Sequence, residues 1–84
     1  MKFRILVDRE DKMAVQRVDT GVVRIVTTGA FFGYPCYEGT LDGNRYEGKH
    51  VGIVGSRDDA KKFLSWKNVR GMMKVYPSTI RSAT

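Results

Sequence analysis

The stretch Tyr34-Pro35-Cys36-Tyr37-Glu38-Gly39-Thr40-Leu41-Asp42-Gly43-Asn44-Arg45-Tyr46-Glu47-Gly48-Lys49-His50-Val51-Gly52-Ile53-Val54 decides the fold. Two turn-forming dipeptides overlap at its centre. Asp42-Gly43 suits a type I′ loop, and Gly43-Asn44 suits a type II′ loop with glycine first. Charge chooses between them. With Asp42-Gly43 as the loop, Glu38 stands opposite Glu47 and Cys36 opposite Lys49, and like charges directly opposed destabilise a ladder. With Gly43-Asn44 as the loop, Asp42 meets Arg45, Thr40 meets Glu47, Glu38 meets Lys49, Cys36 meets Val51 and Tyr34 meets Ile53. This second register is the one predicted. Because side chains alternate along a strand, it puts Tyr37, Leu41, Tyr46 and His50 on one face. The other face carries an ionic tip (Asp42, Arg45, Thr40, Glu47, Glu38, Lys49) that gives way to an apolar base at Cys36, Val51, Tyr34 and Ile53. The base is predicted to be buried and the tip to project.

Outward toward the N-terminus, residues 2–8 alternate as a strand should, with Phe3, Ile5 and Val7 on one face and Lys2, Arg4, Leu6 and Asp8 on the other. Arg9-Glu10-Asp11-Lys12 reads as a turn, Met13 to Asp19 as a second strand, and Thr20-Gly21 as a break. The β-branched run Val22 to Thr28 reads as a third strand. Three short strands in series predict a meander. Residues Thr28 to Gly33 fit no period and read as a loop that tucks one of Phe31 and Phe32 inward.

On the C-terminal side, Gly55-Ser56 ends the hairpin, and Ser56 with Asp59 three residues on is a variant capping box. A helix is predicted from about Arg57 to Asn68. Ala60, Phe63 and Leu64 form its inward stripe, Trp66 flanks that stripe, and Asp58 and Asp59 sit at the positive end of the macrodipole. Asn68 to Gly71 stops the helix, and a last strand runs from Met72 to Tyr76. Residues 1–77 are expected to form a single domain and 78–84 a flexible tail. The fold class is α+β: a mostly antiparallel curled sheet, made of a β-meander with a long hairpin at 34–54, plus one helix in the C-terminal half and a final strand. A five-stranded barrel of the OB or SH3-like kind is the alternative, although the OB order places its helix earlier.

Eighty-four residues suffice for one domain, burying roughly 60 to 65% of the surface the unfolded chain exposes. The single cysteine, Cys36, rules out an intrachain disulfide and points to a reducing compartment. The early charges Lys2 and Arg4 are unlike a signal peptide, and no run approaches the ~18 apolar residues of a membrane span. A cytoplasmic protein without a membrane partner is the expectation.

Chemistry has few residues to work with. There is one histidine, His50, beside the one cysteine, and the preferred register points them to opposite faces, so no thiol–imidazole pair forms. Zinc would want three or four convergent ligands. Gly52-Ile53-Val54-Gly55-Ser56 runs from a strand into a helix as a phosphate loop does, but no Gly-Lys-Ser/Thr triplet follows, and Asp58 and Asp59 would repel an anion there. Gly29 to Tyr34 lacks the spacing of an RRM motif. No enzyme and no cofactor are expected.

Charge placement says more. Before Arg57, eight basic residues oppose seven acidic ones; from Arg57 onward, seven basic residues face only Asp58 and Asp59, so that region carries +5 of the chain's net +6. Lys61, Lys62, Lys67, Arg70 and Lys74 are the candidate surface for nucleic acid or an acidic protein. Phe31, Phe32, Tyr46 and Arg45 are the candidates for base stacking or partner contact. The plainer readings are a solvated helix face for the lysines and core packing for the aromatic stripe.

In make-up the chain resembles the small accessory or inhibitory proteins of phages and mobile elements, which implies action by covering a host protein, in the host cytoplasm, through a projecting hairpin. The leading expectation is a non-enzymatic binding module whose basic C-terminal third engages an acidic partner, nucleic acid first. The alternative is an inhibitor or adaptor that blocks a host protein through the hairpin tip and the Phe31-Phe32 loop. A homodimer through a free strand edge is compatible with both.

Overall fold

The computed structural model describes residues 2–28, 33–67 and 73–74. In chain order the elements are β1 (Phe3–Asp8), β2 (Lys12–Arg17), β3 (Val22–Thr27), β4 (Tyr34–Asp42), β5 (Arg45–Val54), α1 (Arg57–Leu64) and β6 (Met73–Lys74). The strands form one antiparallel sheet in the order β1-β2-β3-β4-β5-β6. Every strand lies beside its chain neighbour, and β6 is a two-residue addition to β5. Among the described residues no ladder joins β1 to the far edge, so the sheet is open and the barrel alternative is set aside. The fold is the α+β curled sheet with one helix.

The long hairpin has the expected tip. Asp42 pairs with Arg45, Thr40 with Glu47, and Glu38 with Lys49. Gly43 takes φ +64 while Asn44 keeps a negative φ, as a glycine-first turn requires. Toward the base the register departs from expectation. A bulge between Tyr37 and Cys36 leaves Val51 without a partner, so that Cys36 faces Gly52, Pro35 faces Ile53 and Tyr34 faces Val54. The reason lies in packing: Val51 and Val54 are an odd number of residues apart, yet both reach the cluster beneath the helix. A regular strand would send them to opposite faces, and the extra residue of a bulge restores the phase.

The same device corrects the reading of β1. A register shift between Ile5 and Val7 lets the adjacent residues Leu6 and Val7 both pack against Ala14, Val23 and Ile25. Val7 therefore parts company with Phe3 and Ile5, which remain on the helix side of the edge strand. The bulge, with Lys2 and Arg4 nearby, also interrupts the regular edge that another strand would need.

Two apolar clusters result, one on each face. Under α1 lie Val26, Cys36, Val54, Ala60, Phe63 and Leu64, flanked by Met13, Val15, Tyr34 and Val51. On the opposite face, Tyr37 and Tyr46 from the hairpin and Leu6 and Val7 from β1 close over the small and branched residues Ala14, Val23 and Ile25. The curl of a twisted sheet brings its own strands together over that face. Gly48 makes this possible locally, because a Cβ there would collide with the Tyr46 ring.

The helix starts as the sequence implies: Ser56 is extended and its hydroxyl accepts the Asp59 N–H at 3.1 Å. It ends earlier than expected, at Leu64 rather than Asn68. Lys67 N–H donates to the Lys62 carbonyl and Trp66 N–H to that of Phe63, with Trp66 at φ 59. This is a Schellman closure, and its left-handed residue is a tryptophan where glycine is usual. No glycine marked the stop, so the periodicity alone overran it.

Ala60, Phe63 and Leu64 are buried as assigned. Leu64→Ala is expected to cost about 2 to 4 kcal/mol, because Leu64 is buried in the cluster beneath the helix and the void cannot fully collapse. Urea unfolding checks this; an unchanged midpoint would contradict the packing. The loop at 29–32, most of the expected strand Met72–Tyr76 and the expected tail 78–84 lie outside the described residues, as do Phe31, Phe32 and Arg70.

Candidate functional site

The residue that organises the helix exit is Arg24, which the sequence ranked only as one cation among many. On β3 it lies between Val15 and Glu38 of the neighbouring strands. Its Nε donates to Glu38 Oε2 at 2.7 Å, and its Nη1 donates to the Phe63 carbonyl at 3.0 Å. The guanidinium sits 4.5 Å from the centre of the Phe63 ring and 4.6 Å from that of Trp66. A planar guanidinium can stack and donate at once, which an ammonium cannot. Glu38 keeps its predicted register opposite Lys49, but its carboxylate goes to Arg24.

Trp66 now has an explanation. A bulky residue in the left-handed region is strained by about 1 to 2 kcal/mol, and here the conformation carries the indole onto Arg24 and against Phe3. The Phe3 and Trp66 ring centroids are 5.5 Å apart with planes tilted by 32°. An aromatic pair is thus assembled from the first strand and the residue just past the helix, 63 positions apart.

Lysines precede and follow Trp66 in the chain. Lys61, Lys62 and Lys67 are all exposed. Among the described residues every ion pair is made by an arginine: Arg9 with Asp11, Arg17 with Asp19, Arg24 with Glu38 and Arg45 with Glu47. The lysine charges are left to solvent. Asp58 and Asp59 lie at the start of the helix, within one turn of Lys61 and Lys62, and offset part of the field there. Lys67, beyond the helix, is farthest from them. Lys74 is placed on β6 opposite Ile53 by its backbone.

Between β1 and α1 runs an open groove of about 380 Å³, with Phe3, Ile5, Met13, Val15 and Leu64 among its lining and Lys61 beside them. Asp8, the last residue of β1, lines it too. Phe3 is 41% exposed and Ile5 67%, unusual for large apolar side chains on a strand next to a helix.

The hairpin candidates are placed differently. Tyr46 is half-buried against the second cluster, and its hydroxyl is buried with no hydrogen-bond partner among the described residues. Burial pushes its phenol up, with the Glu38 charge adding to the effect. Arg45 is exposed at the tip, 3.5 Å from Glu47. Tyr37 meets His50 edge-on at 5.4 Å. Of the aromatic residues named from sequence, Tyr46 thus belongs to a wall of the core, while the pair of exposed Phe3 and half-buried Trp66 was missed. The only signal for it was Trp66 at the edge of the helical stripe.

Cys36 is fully buried under the helix and its thiol donates to the Tyr34 carbonyl at 3.4 Å. Burial pushes its pKa up to about 11, so the folded thiol stays protonated where an unfolded one, near 9, ionises. This group stabilises the fold below about pH 9, and the contribution is lost as pH rises toward 11. At pH 8 a thiol reagent is expected to label Cys36 only in denaturant; rapid labelling of the native protein would contradict this burial.

Among the described residues no three of His, Cys, Asp and Glu are grouped to hold a metal ion, and no helix is long and apolar enough to cross a membrane. No protein-family model, curated protein or solved structure matches the chain.

Proposed function

We propose that the chain is a non-enzymatic binding module that engages an acidic partner, nucleic acid first, through the surface of α1 and its exit. The observation that carries this reading is the group of exposed, unpaired lysines on α1 and just past it. Four arginines, Arg9, Arg17, Arg24 and Arg45, are paired with carboxylates within the fold, while Lys61, Lys62 and Lys67 stand exposed without ion pairs among the described residues. Ammonium groups held in water on long stems are suited to phosphates, whose attraction is long-range and independent of sequence. The fold supplies a rigid base for them, since Phe63 and Leu64 fix α1 on the sheet and Arg24 fixes its end.

Affinity capture from a cell lysate, with and without nuclease, tests the reading. Recovery of nucleic acid that falls sharply between 50 and 200 mM salt, roughly the range over which phosphate contacts lose most of their affinity, is the expected result. Salt-tolerant capture of one host protein, unaffected by nuclease, would instead favour an inhibitor or adaptor acting through the hairpin tip.

A further inference from the structure

We propose that the nucleic acid is single-stranded, with one base stacking on Phe3 at the mouth of the groove between β1 and α1 while its flanking phosphates lie against Lys61, Lys62 and Lys67. The inference rests on the nucleic-acid reading above and narrows it. A duplex keeps its bases stacked inside and offers only phosphates to a surface of this kind, which would leave the exposed Phe3 ring without a role. A single strand offers both phosphates and free base faces, and the usual surface for it combines cations with aromatic rings.

Three features of the structure favour that occupant. Phe3 is 41% exposed and is held in place by Trp66 at 5.5 Å, so the ring is oriented before any ligand arrives. Trp66 is itself fixed by its left-handed turn and by the Arg24 guanidinium behind it at 4.6 Å. The groove that opens beside Phe3, about 380 Å³ with Lys61 at its rim, is of the size that accepts small planar groups. The charges are complementary: cations follow Trp66 at Lys67, precede it at Lys61 and Lys62, and precede Phe3 at Lys2. Among the described residues Asp8 is the one carboxylate lining the groove, and it lies at the opposite end of β1 from Phe3.

The chain has one tryptophan, so its intrinsic fluorescence reports directly on this pair. The folded full chain would be titrated at low salt with an oligothymidylate single strand, with a duplex of the same length, and with polyglutamate. The expected result is quenching of Trp66 by the single strand and affinity for it at least about tenfold above the duplex, the scale of one base–aromatic stack. Phe3→Leu, which keeps an apolar side chain but no ring, should weaken single-strand binding by about tenfold while leaving duplex binding and the circular dichroism spectrum unchanged. Equal affinity for single strand and duplex, with Phe3→Leu without effect, would overturn the stacking proposal and leave the broader nucleic-acid reading standing. Polyglutamate binding as tight as the single strand would overturn the proposal in favour of an acidic protein. Failure of both nucleic acids to bind would overturn the broader reading and this one with it.

Discussion

Arg24→Ala is expected to lower stability by about 2 to 4 kcal/mol, a large share of what a domain of this size holds. The Arg24 side chain is 20% exposed and Glu38 36%, which places their ion pair between two regimes. Surface pairs contribute about 0 to 1 kcal/mol, whereas breaking a buried pair costs about 3 to 5. Truncation also removes a donor from the Phe63 carbonyl and the cation from between two aromatic rings, each such contact worth about 0.5 to 2 kcal/mol. With its support gone, the strained turn at Trp66 has less to hold it, and the helix end should loosen first. The melting temperature should fall by roughly 10 to 20 °C. Arg24→Lys should recover little, because one ammonium cannot reach Glu38 and the carbonyl while lying flat between the rings. An unchanged melting temperature for Arg24→Ala would show that the sandwich is incidental to the fold.

The second large effect concerns binding. Changing Lys61, Lys62 and Lys67 together to glutamate removes three positive charges and adds three negative ones, taking the region from Arg57 onward from +5 to −1. Affinity for nucleic acid should fall by at least about a hundredfold at low salt, since each lost phosphate contact weakens attraction and each new carboxylate adds repulsion. The fold should survive. Surface substitutions move stability by about 0.5 kcal/mol each, with a further cost of about 0.3 to 1 kcal/mol for placing acids at the negative end of a helix dipole. Binding by the folded triple variant, verified by circular dichroism, reads the outcome. Undiminished affinity would move the binding surface elsewhere, and the projecting hairpin would then be the first place to look.

What the sequence made legible, and what it did not, follows the range over which each feature is determined. The hairpin tip could be read because its turn residues and facing charges lie within a few positions: Gly43 admits the positive φ, and Glu38 against Glu47 would have been repulsive. The helix start was legible for the same reason, as Ser56 and Asp59 form a local cap. The two bulges were not. Their cause is the demand that Val51 and Val54, or Leu6 and Val7, reach one cluster, and that demand exists only once distant strands are packed. The helix stop was missed because a tryptophan took the position that glycine would have marked.

The candidate site divides in the same way. Exposure of Lys61 and Lys62 followed from helical phase, and both are where a 3.6-residue period puts them, whereas Lys67 lies past the helix end, where that period no longer applies. The aromatic surface did not follow, because Phe3 and Trp66 meet only when β1 lies at one edge of the sheet and α1 folds back across it. Arg24 was hidden for a related reason: a cation in a β-branched run reads as a solvent-facing residue, and nothing local reveals that a helix carbonyl and two rings await it.

The most direct test of the account is the salt dependence of binding to a single-stranded oligonucleotide, compared between the native chain and a Lys61→Gln, Lys62→Gln, Lys67→Gln variant. Plotted as log affinity against log salt, the native chain should fall steeply, and the variant's slope should be shallower by about 2, the release of roughly 0.7 counterion for each of three phosphate contacts. Two parallel lines, or affinity indifferent to salt, would contradict the claim that these lysines are the surface on which the protein meets its partner.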